Sequence, residues 1–219
     1  MRDLRLPEDP LLLFVFVDDG SSDGTESVLR RLARPQDTVL RLDVNQGKAE
    51  AVRLGMLFAL ENVCPATCQW IGFWDADFAT PLSEAPLFLS FAATYPNPSA
   101  IWGSRVYRAG ARIERNFKRH VFGRAFATFA KLVLGLETYD SQCGSKIFRR
   151  SKVLPAFGQP FISRWLFDIE LYFRLERVGA LIVEYPLQSW RDVSGGTIRI
   201  SRLIFNVLRD VYRIWRFYT

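Results

Sequence analysis

The sequence predicts an α/β domain: a mostly parallel sheet with helices on both faces, finished by a C-terminal amphipathic helix. Three observations point there. Two apolar runs, Phe14–Val17 and Trp70–Trp74, end abruptly in carboxylates, Asp18-Asp19 in the first case and Asp75-Ala76-Asp77 in the second. Short apolar runs rich in Val, Ile and aromatic residues read as buried strands. Strand-like and helix-like segments then alternate along the chain, as parallel strands joined by helical crossovers do. Finally, Ile200, Leu203, Ile204, Val207, Leu208, Val211, Ile214 and Trp215 recur at helical spacing, with Arg199, Arg202, Arg209, Arg213 and Arg216 beside them.

In chain order, the first strand ends at Val17. Gly20-Ser21-Ser22-Asp23-Gly24-Thr25 makes a turn, because glycine permits unusual backbone angles. Ser22, Asp23 or Thr25 can cap the helix expected over Gly24–Ala33. A strand follows at Thr38–Leu42, then a helix over Gly47–Glu61 opened by Asn45-Gln46-Gly47-Lys48. Trp70–Trp74 is the next strand, succeeded by a helix near Leu82–Thr94 and a strand at Ala100–Gly103. A long helix is expected over Arg115–Leu134. Strand Ser145–Arg149, helix Arg164–Val178 and strand Ala180–Tyr185 come next, and the amphipathic helix runs from about Thr197 to Phe217.

A chain of 219 residues fits one domain with a substantial core. Its hydrophobic fraction of 49% and aromatic fraction of 14% exclude a disordered protein. No apolar stretch approaches the roughly 20 residues that cross a bilayer. Arg2, Asp3, Arg5, Glu8 and Asp9 interrupt any apolar run at the N-terminus, so no secretory leader is expected and the active face is expected to be cytoplasmic. The net charge of +6 fits a solvated basic surface or an anionic partner: a nucleotide, a lipid phosphate or an acidic membrane surface, rather than nucleic acid. Most of the basic residues are Arg, which grips phosphate with two parallel bonds. Cys64, Cys68 and Cys143 lack paired metal spacing and His120 is the only histidine, so reduced thiols are expected rather than a zinc site.

Carboxylates at the end of a strand sit at the rim of a sheet, where open α/β folds bind ligands. Alternation places Asp75 and Asp77 on one side of an extended segment, with Ala76 opposite. A hard cation such as Mg²⁺ or Mn²⁺ takes oxygen ligands and shares them with substrate phosphates. Lys48 opens a helix, a place suited to anions, and Arg53 lies further along it. Arg115 and Arg119 stand four residues apart, on one helix face. Plainer readings remain for each: solvated loop aspartates, a solvated lysine, and a basic surface that includes Lys118 and Arg124. The last helix can lie in a membrane interface or pack on the core.

Taken together, Val17-Asp18-Asp19-Gly20-Ser21, Asn45-Gln46-Gly47-Lys48, Asp75-Ala76-Asp77, Gly103-Ser104-Arg105 and Asp140-Ser141-Gln142-Cys143-Gly144-Ser145-Lys146 stand in the order seen in glycosyltransferase family 2. The chain resembles that family from about Leu11 to its C-terminus. The last motif is similar to the branch that makes dolichyl- or polyprenyl-phosphate sugars, especially the dolichyl-phosphate β-glucosyltransferases. The resemblance implies the Rossmann-like GT-A fold. It implies nucleotide-sugar contacts from Asp18, Asp19, Gly20, Ser21, Lys48 and Asp75, a metal at Asp75 and Asp77, and acceptor-phosphate contacts from Arg105, Arg115 and Arg119. Asp77 and Asp140 are the catalytic candidates. Asp140 stands where the family has an acidic residue before a Gly-containing motif, as base or acceptor-orienting group, with Asp168 and Glu170 as alternatives. Cys143 has no covalent role, since the reaction needs no enzyme nucleophile.

Three departures stand out. Ala49 replaces a glycine common in relatives, and Gly195-Gly196-Thr197 lacks the lysine of a Gly-Ser-Lys element, which Arg199 could replace. Only Met1–Pro10 precede the Asp18-Asp19 strand, where family members begin with another strand. Without that strand its neighbours would keep unpaired edges, so the natural start is expected upstream.

The implied activity is an inverting, metal-dependent transfer of a hexose, glucose from UDP-glucose, to a polyprenyl or dolichyl phosphate. The protein would be peripheral on the cytoplasmic face of a membrane. A lipid phosphate is already ionised near neutral pH, so a strong base is unnecessary. Within a single domain, residues 1–104 would bind nucleotide sugar and metal, 105–196 the acceptor, and 197–219 would form the amphipathic helix. Two other readings stay open. One is a different family 2 enzyme, with a GDP-mannose donor or a soluble or polysaccharide acceptor. The other is a non-catalytic nucleotide-binding or membrane-associated interaction protein. Oligomeric state is not legible in the sequence.

Overall fold

In the computed structural model the described residues are 12–114, 133–164, 166–193 and 200–218. Strand β1 (Val15–Asp18) lies parallel to β2 (Thr38–Arg41), with Val15 opposite Thr38 and Asp18 opposite Arg41. Helix α1 (Thr25–Leu32) makes the crossover, its exposed side stitched by Glu26 to Arg30 one turn on and to Arg41 on β2. No side chain caps α1; Asp23 instead accepts the Thr25 amide, 3.3 Å away, and its hydroxyl.

Helix α2 (Lys48–Phe58) continues through a π-turn at Ala59–Val63. Gly55 lets α2 rest directly on β1, since a Cβ there would come within 2.6 Å of Val17 Cγ2. After the π-turn, the Cys68 amide bonds to the Pro65 carbonyl (2.9 Å) and brings the Cα atoms of Cys64 and Cys68 to 5.8 Å. That separation is within reach of a disulfide, and the two are joined. The expectation of reduced thiols is corrected at this pair, while Cys143 is a buried free thiol.

The larger sheet has four strands in the order β3 (Trp70–Trp74), β6 (Ser145–Arg149), β4 (Ala100–Ser104) and β7 (Ile182–Pro186). β4 and β7 are parallel, while β6 runs antiparallel to both of its neighbours. A third pair, β5 (Arg112–Glu114) with β8 (Ser189–Arg191), is parallel. The parallel expectation therefore holds for three pairings, with β6 inserted against the grain. Among the described residues, β1 pairs with β2 alone and β3 with β6 alone. Each keeps an edge unpaired among the described residues.

Alternation along the central strands builds two cores. Ala100 and Trp102 of β4 and Phe148 of β6 enter one, with α2, α4 (Arg150–Phe157), α5 (Phe167–Arg177) and α6 (Ile200–Tyr218). Ile101 and Ile147 enter the other, with Phe88 and Ala92 of α3 (Ala85–Thr94). Each large apolar side chain buried this way contributes roughly 1.5–3 kcal/mol. Helices thus cover both faces. The α5 helix starts three residues later than the sequence indicates, and a short 3-10 turn at Leu82–Glu84 precedes α3. Of the long helix expected over Arg115–Leu134, only Val133 and Leu134 fall among the described residues, and both are helical.

Lys146, in the middle of β6, is fully buried. Such a charge survives only if paired and hydrogen-bonded. Its ammonium donates to Asp168 of α5 and to the Cys143 carbonyl, and lies 4.8 Å from the Trp102 ring centroid. Helix α6 is docked by buried Val211 and Ile214 and by Asp210, which accepts a 2.7 Å hydrogen bond from the Ser163 hydroxyl.

Candidate functional site

Asp18 closes β1 and is buried, 2% exposed. Its Oδ1 accepts the Ser21 amide (3.0 Å). Its Oδ2 is buried without a hydrogen-bond donor among the described residues, Arg41 Nη1 being 3.9 Å away. An ionised oxygen left in this condition costs free energy until a ligand's N–H or O–H reaches it. Asp19 is already satisfied: its two oxygens accept the amides of Gln46 and Gly47, each at 2.7 Å. The neighbours have diverged in role. Asp19 fixes the turn that opens α2, while Asp18 keeps acceptor capacity.

Gly47 takes a φ of +92°, a conformation that suits glycine, and Lys48 follows as the first residue of α2. The Lys48 ammonium straddles the Asp75 carboxylate at 2.7 Å from each oxygen, joining the rims of β1 and β3. The stem of Arg164, an exposed residue the sequence reading does not single out, lies against the same turn. A Cβ on Gly47 would sit 3.7 Å from Arg164 Cδ and 3.9 Å from its Nε.

Residues 75–77 turn rather than extend, so strand alternation does not set their directions. The Phe78 amide returns to the Asp75 carbonyl at 3.2 Å, Phe78 has a φ of +53°, and Asp77 Oδ1 accepts the Ala79 amide at 3.0 Å. Asp75 is held from behind, where its amide donates to the Gly144 carbonyl (2.8 Å). Gly144 is tight against the Asp75 carboxylate: a Cβ there would lie 2.1 Å from Asp75 Oδ2. The two aspartates offer the hard oxygen donors that Mg²⁺ or Mn²⁺ prefers. No group of three metal-ligating side chains forms among the described residues. A metal held by one or two carboxylates would complete its shell with substrate phosphate and water. Here the Lys48 ammonium is the cation that Asp75 holds.

Four residues before Gly144, Asp140 grips Arg105 from both sides. Arg105 Nε and Nη2 donate to separate oxygens at 2.6 Å, and the Arg105 amide adds a 3.0 Å bond. Burial alone would raise the Asp140 pKa; the Arg105 hydrogen bonds and charge, helped by Lys146, outweigh it and hold the carboxyl below its ordinary value. The same partnership raises the Arg105 pKa against its burial. The amides of Tyr139 and Asp140 donate to Glu184 at 2.7 and 2.8 Å, and the Arg105 guanidinium lies 5.3 Å from the Trp190 ring centroid.

Asp140, expected as base or acceptor-orienting group, is thus held as a carboxylate by Arg105, and Arg105, expected at the acceptor phosphate, shares its charge with Asp140. The alternative bases are also committed: Asp168 to Lys146, and Glu170 to the Ile162 amide, Arg174 and Tyr218. Burial raises the Cys143 thiol pKa, which fits a packed, unreactive residue. Arg115 and Arg119 lie outside the described residues, as does Arg199. Gly20, with a φ of +65°, and Ser21 form the turn after Asp18, as expected.

Residues 4–154 match the family model described as glycosyl transferase family 2. The dolichyl-phosphate beta-glucosyltransferase of Drosophila melanogaster is 28% identical over 210 residues, covering 92% of this chain and 62% of that protein. Its Homo sapiens counterpart is 28% identical over 208 residues, covering 89% and 61%. The chain thus spans about three fifths of the length of the curated relatives it matches. Among solved structures, the mannosyl-3-phosphoglycerate synthase of Rubrobacter xylanophilus superimposes with a TM-score of 0.63 at 17% identity, covering 92% of this chain and 63% of that one. The glucosyl-3-phosphoglycerate synthase of Mycobacterium tuberculosis, in complex with Mn²⁺, UDP-glucose and phosphoglyceric acid, gives 0.56 at 18% identity, covering 90% and 68%. At such identities the structures show a shared fold.

Proposed function

The chain belongs to glycosyl transferase family 2 and has its GT-A fold, and from that premise we propose that it transfers glucose from UDP-glucose to a dolichyl or polyprenyl phosphate, with inversion. The observation that carries the proposal is the match to dolichyl-phosphate beta-glucosyltransferases across about nine tenths of the chain. It is supported by a rim that carries a buried carboxylate oxygen without a hydrogen-bond donor among the described residues, a half-buried Asp75 and an exposed Asp77.

Each residue then has a task. Asp18 Oδ2 accepts a donor group of the nucleoside, supplying the hydrogen bond it lacks among the described residues. Asp19 sets the Gln46–Gly47 turn and, through it, the direction of α2. Lys48 brings positive charge to the diphosphate at a helix N-terminus, where the backbone dipole adds to it. Asp75 and Asp77 would hold Mg²⁺ or Mn²⁺, which supplies charge neutralisation of the leaving diphosphate. Asp140 orients Arg105 at the acceptor side and stays deprotonated. The nucleophile is a phosphate oxygen that already carries charge, so no protein base need take a proton from it. Arg115 and Arg119 remain the proposed acceptor-phosphate ligands, with Arg105 beside them.

The acceptor's lipid tail calls for a site near a bilayer. None of the helices among the described residues is long and apolar enough to cross one. Helix α6 offers another route. Its buried side carries Asp210, Val211 and Ile214, while Leu208, Tyr212 and Trp215 form an exposed apolar stripe flanked by exposed Arg209, Arg213 and Arg216. Aromatic and aliphatic groups beside arginines suit the headgroup boundary of an anionic membrane. The sequence left two readings of this helix open; Val211 and Ile214 pack one face in the core, and the exposed face is the one proposed to meet lipid. We place the protein peripherally on such a surface.

The test is a donor and acceptor screen. UDP-glucose, GDP-mannose and other nucleotide sugars are each offered with prenyl phosphate or a soluble sugar acceptor, and product mass is measured. Glucosyl prenyl phosphate is expected. A product formed only on the soluble acceptor, or no transfer from any donor, rejects the proposal.

A further inference from the structure

We propose that Arg164 is a second cation for the donor diphosphate, working beside Lys48, and that its place is set by the hydrogen bond from Ser163 to Asp210 of α6. The inference rests on the nucleotide-sugar reading of the site.

The segment between α4 and α5 is pinned along its length. The Gln159 and Pro160 carbonyls each accept from Arg174 at 2.6 Å. The Ile162 amide donates to Glu170 at 2.7 Å. The Ser163 hydroxyl donates to Asp210 at 2.7 Å and accepts the Leu166 amide at 3.0 Å. Ser163, Glu170 and Asp210 are all buried, so these bonds are shielded from water. In the middle of this anchored run stands Arg164, exposed, with no carboxylate among the described residues paired to it. A fixed backbone carrying an unpaired guanidinium is the arrangement expected of a residue kept for a ligand.

Its location names the ligand's chemistry. The Arg164 stem lies beside the Gly47 turn, where a Cβ on Gly47 would meet it, and Lys48, paired with Asp75, is the next residue. Asp18, Asp75 and Asp77 would otherwise give this rim an excess of negative charge. Lys48 shares its charge with Asp75, so a second basic side chain at the same turn adds to what Lys48 and a metal would offer a diphosphate. Guanidinium suits it well, offering two parallel donors to phosphate oxygens where an ammonium offers a point charge.

The test compares Arg164→Ala, Arg164→Lys and Ser163→Ala with the wild type, full chain throughout. Binding of UDP and of uridine is measured calorimetrically with Mn²⁺ present, alongside KM for donor and acceptor. Arg164→Ala should weaken UDP by about tenfold, the scale of one charged hydrogen-bonding group. Uridine affinity and acceptor KM should hold, and Arg164→Lys should recover part of the loss. Ser163→Ala should show a smaller loss of the same kind, with none added in the Arg164→Ala background. Equal UDP affinity in Arg164→Ala and wild type, or equal losses of UDP and uridine, overturns the role of Arg164 while leaving the donor-site reading intact. A wild-type protein that binds no UDP overturns both.

Discussion

Gly144→Ala offers a direct probe of the proposed metal carboxylate, because it acts on Asp75 without changing any charge. The new methyl carbon would lie 2.1 Å from Asp75 Oδ2 and 2.2 Å from Cγ, while ordinary carbon–oxygen contact begins at about 3.4 Å. The backbone cannot easily yield, since the Asp75 amide is hydrogen-bonded to the Gly144 carbonyl. Gly144 is also absent from the residues with positive φ, so alanine is strained there by contact alone. The carboxylate must therefore swing by about 1 Å or more, breaking its contact with Lys48; a displacement of that size costs about 100-fold in a positioned reaction. The assay is glucosyl transfer at saturating donor, with Mn²⁺ titrated in each variant and the melting temperature measured in parallel. A fall in kcat/KM of about two orders, with a rightward shift in the Mn²⁺ titration and a folded protein, is expected. Wild-type turnover with an unshifted titration would refute the reasoning, since a displaced carboxylate cannot hold the metal as before.

Asp75→Asn and Asp77→Asn should abolish transfer with little change in stability; full activity in either variant, or in excess chelator, would reject their assignment to the metal. Asp140→Asn should destabilise the fold by about 3 kcal/mol at neutral pH, because it leaves Arg105 without its charge partner. The Asp140 carboxyl is held below its ordinary value of 3.8, so the pair's contribution is complete above that pH and fades as pH falls through the lower folded-state value. Urea unfolding at stepped pH should therefore show wild type and Asp140→Asn converging in acid, and a constant gap would contradict the pairing. Replacing Leu208, Tyr212 and Trp215 by serine, or Arg209, Arg213 and Arg216 by glutamine, should lower co-sedimentation with anionic liposomes without unfolding the chain. Each arginine near such a surface contributes on the order of 1 kcal/mol, and the binding should weaken with salt. Undiminished binding in both triple variants would return α6 to a purely structural part. Point changes are preferable to truncation, which would remove Val211 and Ile214 from the core.

The sequence by itself determined where the rims are. Trp70–Trp74 is a strand over the same residues that its apolar run indicates, and Ser145–Arg149 is a strand as read, although it carries a buried Lys146 that no apolar pattern announces. It also determined that Asp18, Asp19, Lys48, Asp75 and Asp77 belong to strand ends and a helix start. What it could not determine is which groups meet. Three-residue β5 and β8, far apart in the chain, are too short to show a period, and Pro155 inside α4 disguises that helix. The pairing of Asp140 with Arg105, of Asp168 with Lys146, and of Asp19 with two amides of the next loop are facts of tertiary placement. So is the place of Arg164 beside Gly47. Periodicity encodes the face a side chain occupies. The partner it finds there depends on how distant elements pack, and that packing set Asp140 against Arg105.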